Sequence, residues 1–153
     1  MHLIAIGRLR DGPEFELFER YNTRLRPRLT VVEMPEQRGT PPMVKRQEAA
    51  ALLGALPKDA FVVALDLGGK MWDSEAFAGH LDQWASRSRR ITFLIGGAEG
   101  LDASVISHAD QVLALGAMTW PHFLARAMLA EQLYRAQAIL QGHPYHRAGR
   151  PMA

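Results

Sequence analysis

Apolar residues in this chain fall into short blocks separated by polar or glycine-rich stretches, except near the end, where they run on almost without a polar face. His2 to Gly7 alternates and is rich in Ile and Leu, which predicts a first strand, and the β-branched residues of Leu29 to Met34 predict a second. Phe61 to Asp66 predicts a third strand buried on both faces. Phe93 to Ile95, a brief apolar run that breaks into glycine, predicts a fourth, and Asp110 to Leu115 a fifth. The intervening segments carry helical spacing. Phe15, Phe18, Tyr21 (or Asn22) and Leu25 follow it from the turn Asp11-Gly12-Pro13 to about Arg26. Glu14, Glu16 and Glu19 come early in that helix and Arg20, Arg24, Arg26 and Arg28 late, as its dipole favours. Further helices are expected from about Met43 to Leu56 and from a cap at Asp73 or Ser74 through Phe77, Leu81 and Trp84 to Arg87–Arg90. A short one follows from Asp102 to His108. Strands alternating with helices predict an α/β fold with a mostly parallel sheet.

The long apolar stretch opens at Pro121, whose fixed φ suits a helix's first position. From Phe123 to Leu140, apolar residues surround nearly the whole helical circumference. A helix apolar all round is buried on all sides. The sheet covers one side, so a second copy of the chain is expected on the other, making a homodimer.

At 153 residues the chain is expected to form one domain, 1–153, with no linker or repeat. The formal net charge of +2 gives no basic field, so any RNA site has to come from local clustering of Lys and Arg. The absence of cysteine excludes disulfides, thiolate metal sites and cysteine nucleophiles, and accords with a cytoplasmic protein. Leu3 to Ile6 is too short for a signal peptide and has no basic region before it. No apolar segment is long enough to span a bilayer.

Several stretches carry candidate chemistry. PEQRGTPP, Pro35 to Pro42, is a loop, and Arg38 with Lys45 and Arg46 forms a basic patch beside it, a pattern also typical of a solvated helix end. Asp66 to Lys70 forms a loop at a strand's carboxyl end, where open α/β sheets bind ligands. Gly96-Gly97-Ala98-Glu99-Gly100 permits a tight turn or a close backbone approach to a ligand, but lacks the spacing of the dinucleotide fingerprint. Gly69-Lys70-Met71 fails the Walker pattern at its third position. His122, His143 and His146 have no carboxylate at a spacing that suggests a metal ligand set. HPYHR, His143 to Arg147, interleaves an aromatic with cations, a composition that suits unpaired nucleotides and equally a frayed terminus. Glu131 and Arg135 form an i, i+4 pair of structural type.

Taken together, LIGGAEGL, LGAMTWPH, AEQLYRAQAILQGHPYHR, LDLGGKMWDS and the opening IAIGRLR resemble one family over nearly the whole chain. They are similar to the ribosomal large-subunit pseudouridine N3-methyltransferases of the knotted SPOUT superfamily. The resemblance implies a C-terminal trefoil knot within about residues 93–147, an obligate homodimer, and transfer of a methyl group from S-adenosylmethionine (SAM) to N3 of a pseudouridine in 23S ribosomal RNA, with no metal. It implies a cofactor site of Leu65, Gly97, Gly116, Ala117, Met118, Thr119, Trp120 and Pro121. It implies RNA contacts from His122, Arg126, Tyr145, His146 and Arg147, with His122 a candidate to take the imide proton or to stabilise the anion. Ala98 stands where the family usually has Pro. Gly116-Ala117 replaces a Ser-containing pair, and AGRPMA extends the chain past the family's usual end.

Overall fold

The computed structural model of the protein describes residues 1–88 and 90–148. Its strands are β1 (His2–Ile6), β2 (Thr30–Met34), β3 (Phe61–Lys70), β4 (Ile91–Ile95) and β5 (Gln111–Leu113). Its helices are α1 (Pro13–Asn22), α2 (Pro41–Gly54), α3 (Ser74–Arg87), α4 (Ala103–His108) and α5 (His122–Leu140). The strands form one sheet in the order β2-β1-β4-β3-β5, with every neighbouring pair parallel.

Alternation along the strands sends side chains to two opposite cores. Leu3, Ala5, Val63, Phe93 and Ile95 meet Phe18, Leu25, Phe77, Leu81, Trp84, Leu129 and Leu133 on the face covered by α1, α3 and α5. Ile4, Ile6, Val62, Ala64 and Leu94 meet Ala49, Leu52 and Val105 on the face covered by α2 and α4. β4 is buried at all five positions, as a central strand covered on both faces must be.

Several boundaries differ from the sequence expectation. α1 stops at Asn22, because Pro27 disfavours helical backbone at Arg26 and the buried Asn22 side chain instead accepts the Leu29 N–H at 2.9 Å. α2 starts at Pro41, where two successive prolines occupy a first turn that needs no N–H donors. Asp66 to Lys70 lies within β3 instead of forming a loop. The strand bulges there, and both Leu65 and Lys70 register with Leu113. Gly69 permits this, since a Cβ there would come within 2.7 Å of the Val112–Leu113 backbone.

α5 is enclosed by its own subunit to a greater degree than its composition suggested. It lies on the sheet between α1 and α3, which bury Ala127, Leu129, Ala130, Leu133 and Ala136. The outward stripe that remains carries Leu124 and Met128, which border an apolar groove of about 560 Å³ with Leu17 and Met71.

Candidate functional site

β3 and β4 both end at the same edge of the sheet, and their carboxyl ends open into a cleft of about 740 Å³. The turn after β4 forms one wall, and the segment from Leu115 to His122, leading from β5 into α5, forms another. Leu65, Gly97, Met118, Thr119, Trp120 and Pro121, all expected at a cofactor site, line it together with His122. Gly116 borders the apolar groove on the other side of the segment, and Ala117 borders neither cavity. Leu67 and Glu99 lie in the two stretches singled out as ligand-binding candidates, Asp66 to Lys70 and Gly96 to Gly100, and Lys45 in the basic patch, but none was assigned to the cofactor site. Leu101 was not singled out.

The glycine turn closes on itself, with Gly100 N–H donating to the Gly97 carbonyl at 3.1 Å. At Gly97 the demand for a bare α-carbon comes from behind the cleft. An added Cβ would lie 3.0 Å from both Ile6 Cγ2 and Glu48 Oε2. Glu48 is buried, and its Oε1 accepts the Gln37 N–H at 3.1 Å, while Oε2 has no hydrogen-bond partner among the described residues.

His122 opens α5 at the rim of the cleft, its side chain 20% exposed. Its Nε2 lies 3.5 Å from Glu36 Oε1 without completing a hydrogen bond. Burial pushes the imidazole pKa below its ordinary 6.5 and outweighs the opposing pull of Glu36. At neutral pH the ring is therefore uncharged. It can accept a proton, and it supplies no standing cation.

Arg126, expected to face RNA, is 1% exposed. Its guanidinium donates to the Ile6 and Gly7 carbonyls, each at 2.7 Å, and pairs with Glu33. Its donors are spent inside the subunit, at the carboxyl end of β1.

The tail is ordered against α5. Gly142, with φ +67°, ends the helix, with its N–H on the Ile139 carbonyl and the His143 N–H on the Ala138 carbonyl. That turn sends Tyr145 back to donate its hydroxyl to Glu131 Oε1 at 3.0 Å and to pack edge-on against Tyr134. Glu131 and Arg135 form the expected pair, and the Arg135 guanidinium lies 4.9 Å from the Tyr145 ring centroid. Burial, reinforced by Glu131, raises the Tyr145 pKa. His146 sits between Arg135 and Glu75, and Arg147 is exposed. None of the three borders the cleft of its own subunit. Of the extension AGRPMA, residues 149–153 lie outside the described residues.

The cleft fits a nucleoside-containing cofactor. Its volume is in the range of small-molecule sites, and its walls combine apolar side chains with the peptide groups of a glycine turn.

The chain is 60% identical over 151 residues to the "Ribosomal RNA large subunit methyltransferase H" of Gluconacetobacter diazotrophicus, covering 99% of each chain. It is 58% identical to the protein of the same name from Acidiphilium cryptum, over 99% of this chain and 96% of that one. Among solved structures it overlays the SpoU methyltransferase AviRb from Streptomyces viridochromogenes, crystallised with AdoMet, at 14% identity and a TM-score of 0.47. That overlay covers 98% of this chain and 59% of the other. The family model described as "Predicted SPOUT methyltransferase" matches residues 1–146. The chain belongs to the SPOUT methyltransferase family.

Proposed function

We propose that the protein methylates ribosomal RNA of the large subunit, taking the methyl group from SAM and placing it on N3 of a pseudouridine in 23S RNA, in the cytoplasm. The observation that carries this reading is the convergence of the glycine turn and the loop before α5 on one cleft, in a chain of this family. SAM supplies a methyl group already made electrophilic by the sulfonium. The protein's task is alignment and removal of the imide proton.

Leu65, Gly97 and Met118 to Pro121 hold the cofactor, and the trefoil knot implied by the resemblance belongs to this segment. Neutral His122, at the rim, takes the proton. Tyr145, His146 and Arg147 hold RNA by stacking and charge. Arg126 serves by bracing β1 against α5 instead, because its donors are already engaged. Among the described residues no helix is long and apolar enough to cross a membrane.

Incubating the protein with SAM and unmodified large subunits, then reading 23S RNA by mass spectrometry, should give one methyl group on a pseudouridine. Unchanged RNA would remove the reading.

We further propose that the chain works as a homodimer, with the groove at Leu17, Met71, Leu124 and Met128 covered by a second copy. Met71 is 62% exposed, which a solvated methionine in a ring of apolar neighbours does not favour. Sedimentation should find a dimer at micromolar concentration. A stable monomer there rules the dimer out.

A further inference from the structure

Methylating an imide nitrogen releases one proton. The N–H electron pair becomes the new N–C bond, the S–C pair stays on sulfur, and the proton has to leave the cleft. Lys45, Asp66, Glu99 and His122 are the titratable side chains that line it. His122 is the imidazole among them, the group whose ordinary titration lies near neutral pH.

We propose that Glu36 is a positioning residue that orients His122 as the proton acceptor and passes the released proton on to solvent. The inference rests on the methyltransferase reading above. Its first support is geometric. Glu36 Oε1 lies 3.5 Å from His122 Nε2, which is buried and has no other partner among the described residues. A shift of about half an ångström brings the pair to ordinary hydrogen-bond length. With Nε2–H given to Glu36, Nδ1 is the nitrogen left to accept a proton.

The second support is that the surrounding fold makes room for the pair. Gly7, at the end of β1 with φ +91°, faces the Glu36 carboxylate and the Phe123 ring. A Cβ there would come within 3.1 Å of Glu36 Oε1 and of Phe123 Cε1. Glycine at this point is what lets the carboxylate reach between β1 and the first turn of α5.

The third support is the sign of the surroundings. Glu36 from the loop after β2, Glu48 from α2 and Arg126 from α5 act on His122, and Arg126 is paired with Glu33. The carboxylates of Glu36 and Glu48 oppose the effect of burial and of Arg126, and so reduce the cost of forming the imidazolium in turnover. The side chains also grade outward, from His122 at 20% exposed to Glu36 at 58%. The imidazolium gives its Nε2 proton to Glu36 and Glu36 gives it to water. That leaves the Nδ1–H tautomer, and proton exchange with water, off at Nδ1 and on at Nε2, resets the ring.

The test uses the full chain and two readouts. Ring-nitrogen NMR without RNA should show the His122 midpoint at lower pH in Glu36→Gln than in the native protein. Single-turnover methylation of large subunits should be slowed by about 100-fold, the scale of one proton-transfer assist, and its pH–rate inflection should move down with the NMR midpoint. His122→Gln should lose as much, and adding Glu36→Gln to it should cost little more, as for residues acting as one unit. SAM affinity by calorimetry should stay the same in all three variants. Normal methylation by either single variant, or an unmoved His122 midpoint in Glu36→Gln, overturns this proposal alone. Failure of the native protein to methylate overturns the parent reading and this one together.

Discussion

A guanidinium taken out of water has to find its acceptors within the fold, and Arg126 finds them at the end of β1, where the carbonyls of Ile6 and Gly7 have run out of strand partners. Glu33, at the matching end of β2, neutralises it. One side chain thus ties the second turn of α5 to two strands and fixes the direction in which the helix leaves the cleft. Truncating it strands two carbonyls and a carboxylate. We expect Arg126→Ala to lower unfolding stability by about 3 kcal/mol, at the lower end for a broken buried pair because Glu33 keeps some contact with water. Urea unfolding monitored by circular dichroism would read this. An unchanged midpoint would mean that the carbonyls are satisfied in some other way. Its place in the RNA-facing pattern could not be separated from this role by sequence, because i to i+4 spacing from His122 says nothing about which acceptors wait at the end of β1.

At the scale of elements, α5 and its tail act as one unit. Gly142 adopts the left-handed backbone that ends α5, and the reversal it makes lays Tyr145 and His146 back along Glu131 and Arg135. HPYHR left two readings open in the sequence, and the packing of its aromatic ring excludes fraying. The cleft residues end at Ala125, well before the tail begins, and no tail residue borders the cleft within one subunit. Removing residues from His143 onward should therefore leave SAM affinity by calorimetry within about twofold and abolish methylation of large subunits, since the stacking and phosphate contacts go with the tail. Full methylation by the truncated protein would take the tail out of RNA binding.

Over the whole molecule, buried basic groups set an acid limit to stability. The amino terminus, His2 and His122 all have folded-state pKa values below their ordinary ones, in each case chiefly through burial. A group with a depressed pKa binds its proton more readily once unfolded, so protonation favours unfolding. Stability is then fully present above the unfolded pKa and falls as pH drops below it, near 8.0 for the amino terminus and near 6.5 for the two histidines. The raised Tyr145 pKa acts in the opposite direction. It favours the folded state while the phenol stays protonated, and stability falls once pH exceeds the unfolded tyrosine's ordinary 10. Thermal unfolding across pH should show a plateau between these limits and a decline on either side. For His122→Gln the acid decline should be shallower, and an identical decline would assign the acid limit to other groups.

The sequence by itself determined the elements and the sheet class. Apolar runs bounded by glycine can be satisfied only as buried strands, and their alternation with amphipathic segments requires helices on both faces. It also determined the glycine turn, and the resemblance singled out Leu65, Gly97 and Met118 to Pro121, which line one cleft. Tertiary structure decided which side of a residue faces what. The bare α-carbon at Gly97 answers to Glu48, 49 positions earlier in the chain, and Gly7 answers to Glu36 and Phe123. The all-round apolar character of α5 is met largely by α1 and α3 within one subunit. Such pairings join residues far apart in sequence, whereas periodicity reports only the local direction of a side chain. The partner it meets is fixed when the elements pack.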